Sequence, residues 1–331
     1  MTEKRFVVSM SPHVRNGRTI RSLVYATIGA LVPAAAWGVY QFGFPAALLI
    51  LVWVASAVLT ELIVSKIARL PIKVGDGHAI LVGLLLALLL PAGCPVWVVG
   101  IGAALGVLVG KMTFGPLGGS PISPVLVGFL IVILSWPQEV SSFVQPNLLP
   151  DGAPAEALKA DDAAPAEDPQ AAVFADPSDA ADYAMGDLFL GKQAGAIGTI
   201  SPLLLLLGGL FLIWRRAARW QGPVGYILGV VLTSGISHAV DPGQYPTCGF
   251  QLFTGATMLG AFFLCTEWST TPVSPKGLFF YGIFAGFLTI LFRLTGMSFG
   301  SVAYAIAIAS LATPLFDRLA TVPFGKVVDH A

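Results

Sequence analysis

Five apolar runs, a hydrophilic stretch from about Gln138 to Asp187, and five further apolar runs follow one another along the chain. A bilayer crossing needs roughly 20 apolar residues. The pattern predicts membrane helices over 20–40, 44–65, 78–91, 96–112 and 124–143, then over 195–214, 223–240, 250–266, 277–295 and 299–316. The third and fourth are short, and short or Gly/Pro-broken segments tend to line an internal site rather than lipid. An odd number of crossings per half inserts the halves in opposite senses. The expected fold is therefore an all-α integral membrane protein of about ten helices in two inverted five-helix repeats. The chain divides into an N-terminal segment (1–19), a first repeat (20–143), an acidic loop (144–194), a second repeat (195–316) and a tail (317–331).

Composition excludes a soluble globule: 56% of residues are hydrophobic, 11% are charged and the mean hydropathy is +0.81. The formal net charge of zero hides a segregation of signs. The hydrophilic stretch carries eleven acidic residues against the single Lys159. Lys and Arg collect in short cytoplasmic segments. Fifteen of the eighteen fall on one side of the predicted spans, before the first, after the second, and after the fourth, sixth, eighth and tenth; Lys159, Lys192 and Arg293 fall on the other. Both termini are expected in the cytoplasm and the acidic loop outside. No cleavable signal peptide is read in the polar first twenty residues. The insert, rich in Ala, Asp and Pro, is too poor in apolar residues to order itself, and most of it is expected to be a solvated loop. Nothing in this pattern supports nucleic-acid binding.

Local motifs narrow the chemistry. Phe114 to Pro124, FGPLGGSPISP, cannot be a plain helix; it is either an interfacial turn or a loop lining a ligand site. Phe253 to Phe263, FTGATMLGAFF, has a small-residue face that serves close helix packing or places the Thr254 and Thr257 hydroxyls beside a cofactor or ion. Asp187 to Ser201, DLFLGKQAGAIGTIS, is a glycine-rich entry to a helix whose free amides would suit an anion. Asp76 and His78 sit at the mouth of the third span, as caps or as proton carriers. Glu61 and Arg293 are the ionisable groups nearest the membrane interior, where buried charge marks function. Lys66 lies little more than a turn beyond Glu61, so that carboxylate reads as snorkelling to the cytoplasmic interface. Three cysteines, Cys94, Cys248 and Cys265, are too few for a four-cysteine iron–sulfur cluster. Cys94 and Cys248 share the outward side, which permits a disulfide without requiring one. Four scattered histidines argue against a metal site.

Ser11-Pro12-His13 with Thr19 and Ser22, the block from Asp76 to Pro91, Gly-Pro-Leu-Gly-Gly at 115–119, TGATMLGAFF at 254–263 and Ala312-Thr313-Pro314-Leu315-Phe316-Asp317 occur in this order over nearly the whole chain outside the insert. In these blocks the chain resembles the RnfD/NqrB family, membrane subunits of Rnf-type complexes and of the sodium-pumping NADH:quinone oxidoreductase. The resemblance implies a fold similar to urea channels, placement in a bacterial inner membrane among other membrane and cytoplasmic subunits, and coupling of electron transfer between NADH and ferredoxin or a quinone to Na⁺ or H⁺ movement. It further implies a bound flavin, FMN or riboflavin, with Gly118, Gly119, Ser120, Ser123, Thr254 and Thr257 as cofactor-binding candidates. Asp76, His78 and Glu61 are the ion or proton candidates; no metal ligands are expected. The family's loop attachment threonine has no counterpart, because the insert contains no threonine. Gln251 stands where the attachment motif has aspartate before Thr254-Gly-Ala-Thr257, which speaks against a covalent flavin on Thr257. Both asparagines of the family's Asn-Pro-Phe-Asn-Pro-Ala read as Ser120 and Ser123, and a hydroxyl offers one donor where an amide offers two. The same inverted halves could instead enclose a small-solute pore, or anchor partner proteins without any flavin.

Overall fold

The computed structural model describes residues 19–69, 74–114, 118–144, 165–166, 170, 173, 185–191 and 194–318. The N-terminal motif at Ser11–His13, most of the acidic insert and the tail beyond residue 318 lie outside the described residues.

The first half folds as α1 (Ile20–Phe42), α2 (Phe44–Ile67), α3 (His78–Leu89), α4 (Val96–Val107, extended by a π turn over Leu108–Met112) and α5 (Pro124–Ser135). A short α6 (Pro137–Val140) follows, where Trp136 and Pro137 end the fifth span well before its predicted limit of 143. A two-residue ribbon pairs β1 (Phe143–Val144) with β2 (Pro165–Ala166), and α7 (Met185–Leu190) leads to the second half. There α8 (Pro202–Trp214), α9 (Gln221–Val240), α10 (Cys248–Phe253), α11 (Thr257–Leu259, extended by a π turn over Gly260–Leu264), α12 (Pro275–Leu294), α13 (Ser301–Leu311) and α14 (Thr313–Arg318) complete the described chain.

Among the described residues four helices, α1, α2, α9 and α12, are long and apolar enough to cross a membrane, and five shorter apolar helices accompany them. The chain is a multi-pass membrane protein. Three further predicted spans are corrected. The eighth is two helices broken at Thr254–Ala256, the tenth breaks at Ala312, and the sixth begins at Pro202 rather than 195. Residues before Pro202 are not helical because they pair with the end of α3: the amides of Ile197 and Gly198 donate to the carbonyls of Leu90, the extended cap, and of Leu88 in the last turn, both at 3.0 Å. This pairing occupies two of the amides that the sequence offers to an anion. It also satisfies backbone that a lipid environment could not.

Helix directions follow from the contacts. Gly38 of α1 meets Ile197, and Ala30 meets Gly208 of α8, so the first helices of the two halves run antiparallel. Gly300, at the start of α13, lies on Phe129 and Ile133 toward the end of α5. Within the halves, second and fourth helices run parallel. Trp53 reaches Gly102 and Glu61 reaches Lys111 between α2 and α4, while Gly225 and Gly229 of α9 sit on the carbonyls of Phe279 and Ile283 of α12. A β-carbon at Gly229 would lie 2.3 Å from the Ile283 oxygen, which is why this pair of helices requires glycine to pack backbone on backbone.

The insert is not wholly a solvated loop. Gln170 and Val173 are buried, Val173 against Leu188 of α7 and Phe250 of α10.

Candidate functional site

Two buried polar constellations occupy the places where helices break. The first centres on Arg293, fully buried near the end of α12. Its Nη1 donates to the Gln251 carbonyl at 2.8 Å and to Gln251 Oε1 at 2.7 Å. Nη2 donates to Thr257 Oγ1 at 2.6 Å and to the Thr254 carbonyl at 3.5 Å, and Nε donates to Ser301 Oγ at 3.3 Å. One guanidinium thus spans the break between α10 and α11 and ties it to the start of α13. Its planar fork of five donors suits this work as an ammonium would not. The break itself needs Gly255, whose φ of +60° is left-handed and whose missing side chain leaves room for Gln170. Gln170 Nε2 donates to Thr254 Oγ1 at 3.0 Å.

The second constellation gathers the C-terminal ends of α2 and α4, the start of α3 and the turn after α11. Glu61 and Lys111 form a buried ion pair, Nζ to Oε1 at 2.7 Å. This corrects the expectation that Glu61 snorkels beside Lys66; the π turn of α4 carries Lys111 inward to meet it. Glu61 Oε2 has no hydrogen-bond partner. Asp76 behaves as a cap, its Oδ1 accepting the His78 amide at 2.8 Å. The His78 side chain is different. It is 3% exposed, packs edge-on against Trp268 with centroids 6.3 Å apart, and leaves Nδ1 without a partner. Glu267, in the turn after α11, lines the same small cavity as His78; Ser269 Oγ donates to its Oε1 at 3.1 Å and its Oε2 is unpartnered. Burial pushes the Glu267 carboxyl above its ordinary value, and the hydroxyls of Ser123 and Ser269 pull the other way. The cavity measures about 20 Å³, room for one water.

The cofactor candidates do not converge. Gly118 and Gly119 are exposed, Ser120 Oγ donates to the Gly110 carbonyl at 2.8 Å, and Ser123 caps α5 by accepting the Val125 amide at 3.2 Å. Thr254 and Thr257 are buried, and the cavity beside their loop is lined by Gly255, Ala256, Gly195, Thr199, Phe299 and Ser301, not by the 118–123 turn. Its volume is about 30 Å³, whereas pockets for drug-sized ligands run to roughly 300–1,000 Å³. Thr257 Oγ1 is already engaged, donating to the Gln251 and Thr254 carbonyls at 3.0 Å each while accepting from Arg293. Among the described residues, this loop does not fit an enclosed flavin ring or a flavin ester. The three cysteines are free thiols, so Cys94 and Cys248 do not form the disulfide that their shared side permits.

Three participants escape a reading of the sequence. Lys111 reads there only as a cytoplasmic marker, Gln251 only as a departure from a motif, and Glu267 draws no attention. The available signal for Glu267 is its position as the single acidic residue between the predicted eighth and ninth spans.

These features define a polytopic membrane protein whose broken helices are held by polar side chains from distant parts of the chain. It belongs to the NQR2, RnfD, RnfE family, whose pattern matches residues 7–325. It is 34% identical to the D subunit of the Na⁺-translocating ferredoxin:NAD⁺ oxidoreductase complex of Acetobacterium woodii, over 96% of this chain and 94% of that protein. It is 32% identical to the D subunit of the proton-translocating ferredoxin:NAD⁺ oxidoreductase complex of Clostridium ljungdahlii (95% and 94% covered). It is likewise 32% identical to the D subunit of an ion-translocating oxidoreductase complex of Methanosarcina acetivorans (96% of each).

Two expectations follow. Arg293→Gln removes the fork and with it several charged hydrogen bonds, leaving Gln251 Oε1 without its guanidinium donor, so it should cost about 3 kcal/mol or more, and Arg293→Lys should recover little of it. The midpoint of heat-induced aggregation in detergent measures both. By the same measurement, Glu61→Leu or Lys111→Met alone should each destabilise by about 3–5 kcal/mol, because the surviving charge is stranded, while the double variant should lie close to wild type.

Proposed function

We propose that this chain is the D subunit of an ion-translocating oxidoreductase complex, embedded in a bacterial plasma membrane with both termini cytoplasmic and the acidic insert outside. The observation that carries the reading is the near full-length likeness to subunits bearing that name. The antiparallel run of α1 against the segment from Ile197 through α8 supports two inverted repeats, the arrangement in which broken segments of opposite sense meet inside the bilayer.

Within such a complex the chain handles the ion. A charge placed in a low-dielectric medium is costly unless an opposite charge approaches, so electron arrival in the assembly draws a cation toward it. Glu267 and His78 supply an unpartnered oxygen and nitrogen on the walls of a water-sized cavity, an acceptor pair that a proton relayed through one water can use. The Glu61–Lys111 pair lies on α2 and α4 of the same half as His78 and contributes a fixed field there.

In inverted membrane vesicles the complex should couple ferredoxin- or NADH-driven electron flow to Na⁺ or H⁺ uptake, and Glu267→Gln should lower uptake per electron without loss of assembly. Full uptake by that variant would remove Glu267 from the ion path. Failure to co-purify with redox partners, together with solute flux through liposomes containing the chain alone, would instead make it a channel.

We propose further that no flavin is esterified to Thr257. Denatured in acid, the purified polypeptide should show no flavin fluorescence on a gel that Thr257→Ala removes, and Thr257→Ser should leave any flavin released into the supernatant unchanged. Fluorescence that stays with the wild-type band and is lost in Thr257→Ala would overturn this.

A further inference from the structure

Between α1 and α8, on the outer surface, lies a groove of about 790 Å³. Its floor is made of small residues, among them Gly29, Ala30 and Gly208, and its walls include Tyr25, Leu207 and Phe211. At one end Arg215 lines the groove itself, with Arg21 a turn before Tyr25 on α1, its guanidinium carbon 5.5 Å from the Tyr25 ring centroid. No acidic residue is among the lining residues. Trp214, next to Arg215, is 78% exposed, as befits a residue at headgroup depth.

The groove is short. On α1 its lining residues extend from Ser22 to Pro33, which at 1.5 Å per residue is roughly 16 Å. That is about half the roughly 30 Å hydrocarbon thickness, the depth of a single leaflet. Beyond Pro33 the seam closes, because the backbone of Ile197 presses on Gly38 at a distance that leaves no room even for a β-carbon (2.2 Å). A membrane-spanning helix of a partner would need the groove to continue; one acyl chain needs only this length, and a phosphate at its end would meet the two arginines.

We propose that this groove seats one anionic phospholipid, an acyl chain lying over Gly29, Ala30 and Gly208 and its phosphate held by Arg215 and Arg21. Basic pockets between membrane helices are suited to such headgroups, each arginine near the surface contributing about fivefold in affinity. The lipid would bridge the first helices of the two halves along their seam. The inference is independent of electron transfer, and its test uses none.

The test is native mass spectrometry of the delipidated full chain, titrated with phosphatidylglycerol or phosphatidylcholine and paired with thermal midpoints in detergent. One phosphatidylglycerol should be retained in preference to phosphatidylcholine and should raise the midpoint. Arg215→Gln and Arg21→Gln should each weaken retention about fivefold. Gly29→Phe should abolish retention while leaving the lipid-free midpoint unchanged, because a side chain at Gly29 grows into open space with nothing within 4 Å. Equal retention of the two lipids, or retention undiminished in Gly29→Phe, would overturn the proposal. So would a photo-crosslinker at position 29 that, in the intact complex, captures a partner polypeptide instead of lipid.

Discussion

Backbone amides and carbonyls at membrane depth must find partners inside the protein, and the rest of this structure is arranged around that requirement. At two places where a helix stops short, something specific replaces its missing hydrogen bonds. After α3 the replacement is a distant stretch of the chain, Ile197 and Gly198, pairing with Leu90 and Leu88. At the break in the second half it is a side chain, Arg293, which reaches two carbonyls and a hydroxyl of the loop at once. The two devices differ because the loops differ. An extended segment can pair with another strand, whereas the left-handed Gly255 turn presents its carbonyls at angles that only a branched donor can collect.

Charge follows the same logic at higher cost. An ion taken out of water is stabilised only by close partners, so Glu61 and Lys111 meet at 2.7 Å in the interior. Glu267 and His78, like Glu61 at its Oε2, keep one polar atom each without a hydrogen-bond partner. Both residues line one water-sized cavity, in a fold that elsewhere pairs most of its buried polar atoms, and such a cavity suits something that comes and goes. The shared cavity, not the missing partner, sets these two residues apart from Glu61.

Hydrogen-bond partners also bear on the flavin. Family membership brings an expectation of electron carriers, yet the threonines that resemble an attachment motif are engaged by Arg293 and by backbone carbonyls. The TGAT loop serves here as a structural break, with Gln251 supplying a neutral acceptor to the guanidinium where the motif would have supplied a carboxylate.

The hydrophobic pattern by itself determined that the chain spans a membrane repeatedly, because burial in lipid demands long apolar runs whatever their neighbours. Local order was legible where the cause was local: the Asp76 cap at α3, the non-helical stretch before Pro124, the small residues that let helices approach closely. Tertiary structure alone decided which polar residues meet. Lys111 is a topology marker in the sequence and an ion-pair partner only once the π turn carries it to Glu61. Glu267 gains meaning only where the start of α3 and the end of α11 come together, and residues 195–201 have the composition of a helix whose amides Leu88 and Leu90 take instead. Each of those outcomes depends on a partner far away in sequence, and periodicity reports only which face of a segment avoids water, never what that face will touch.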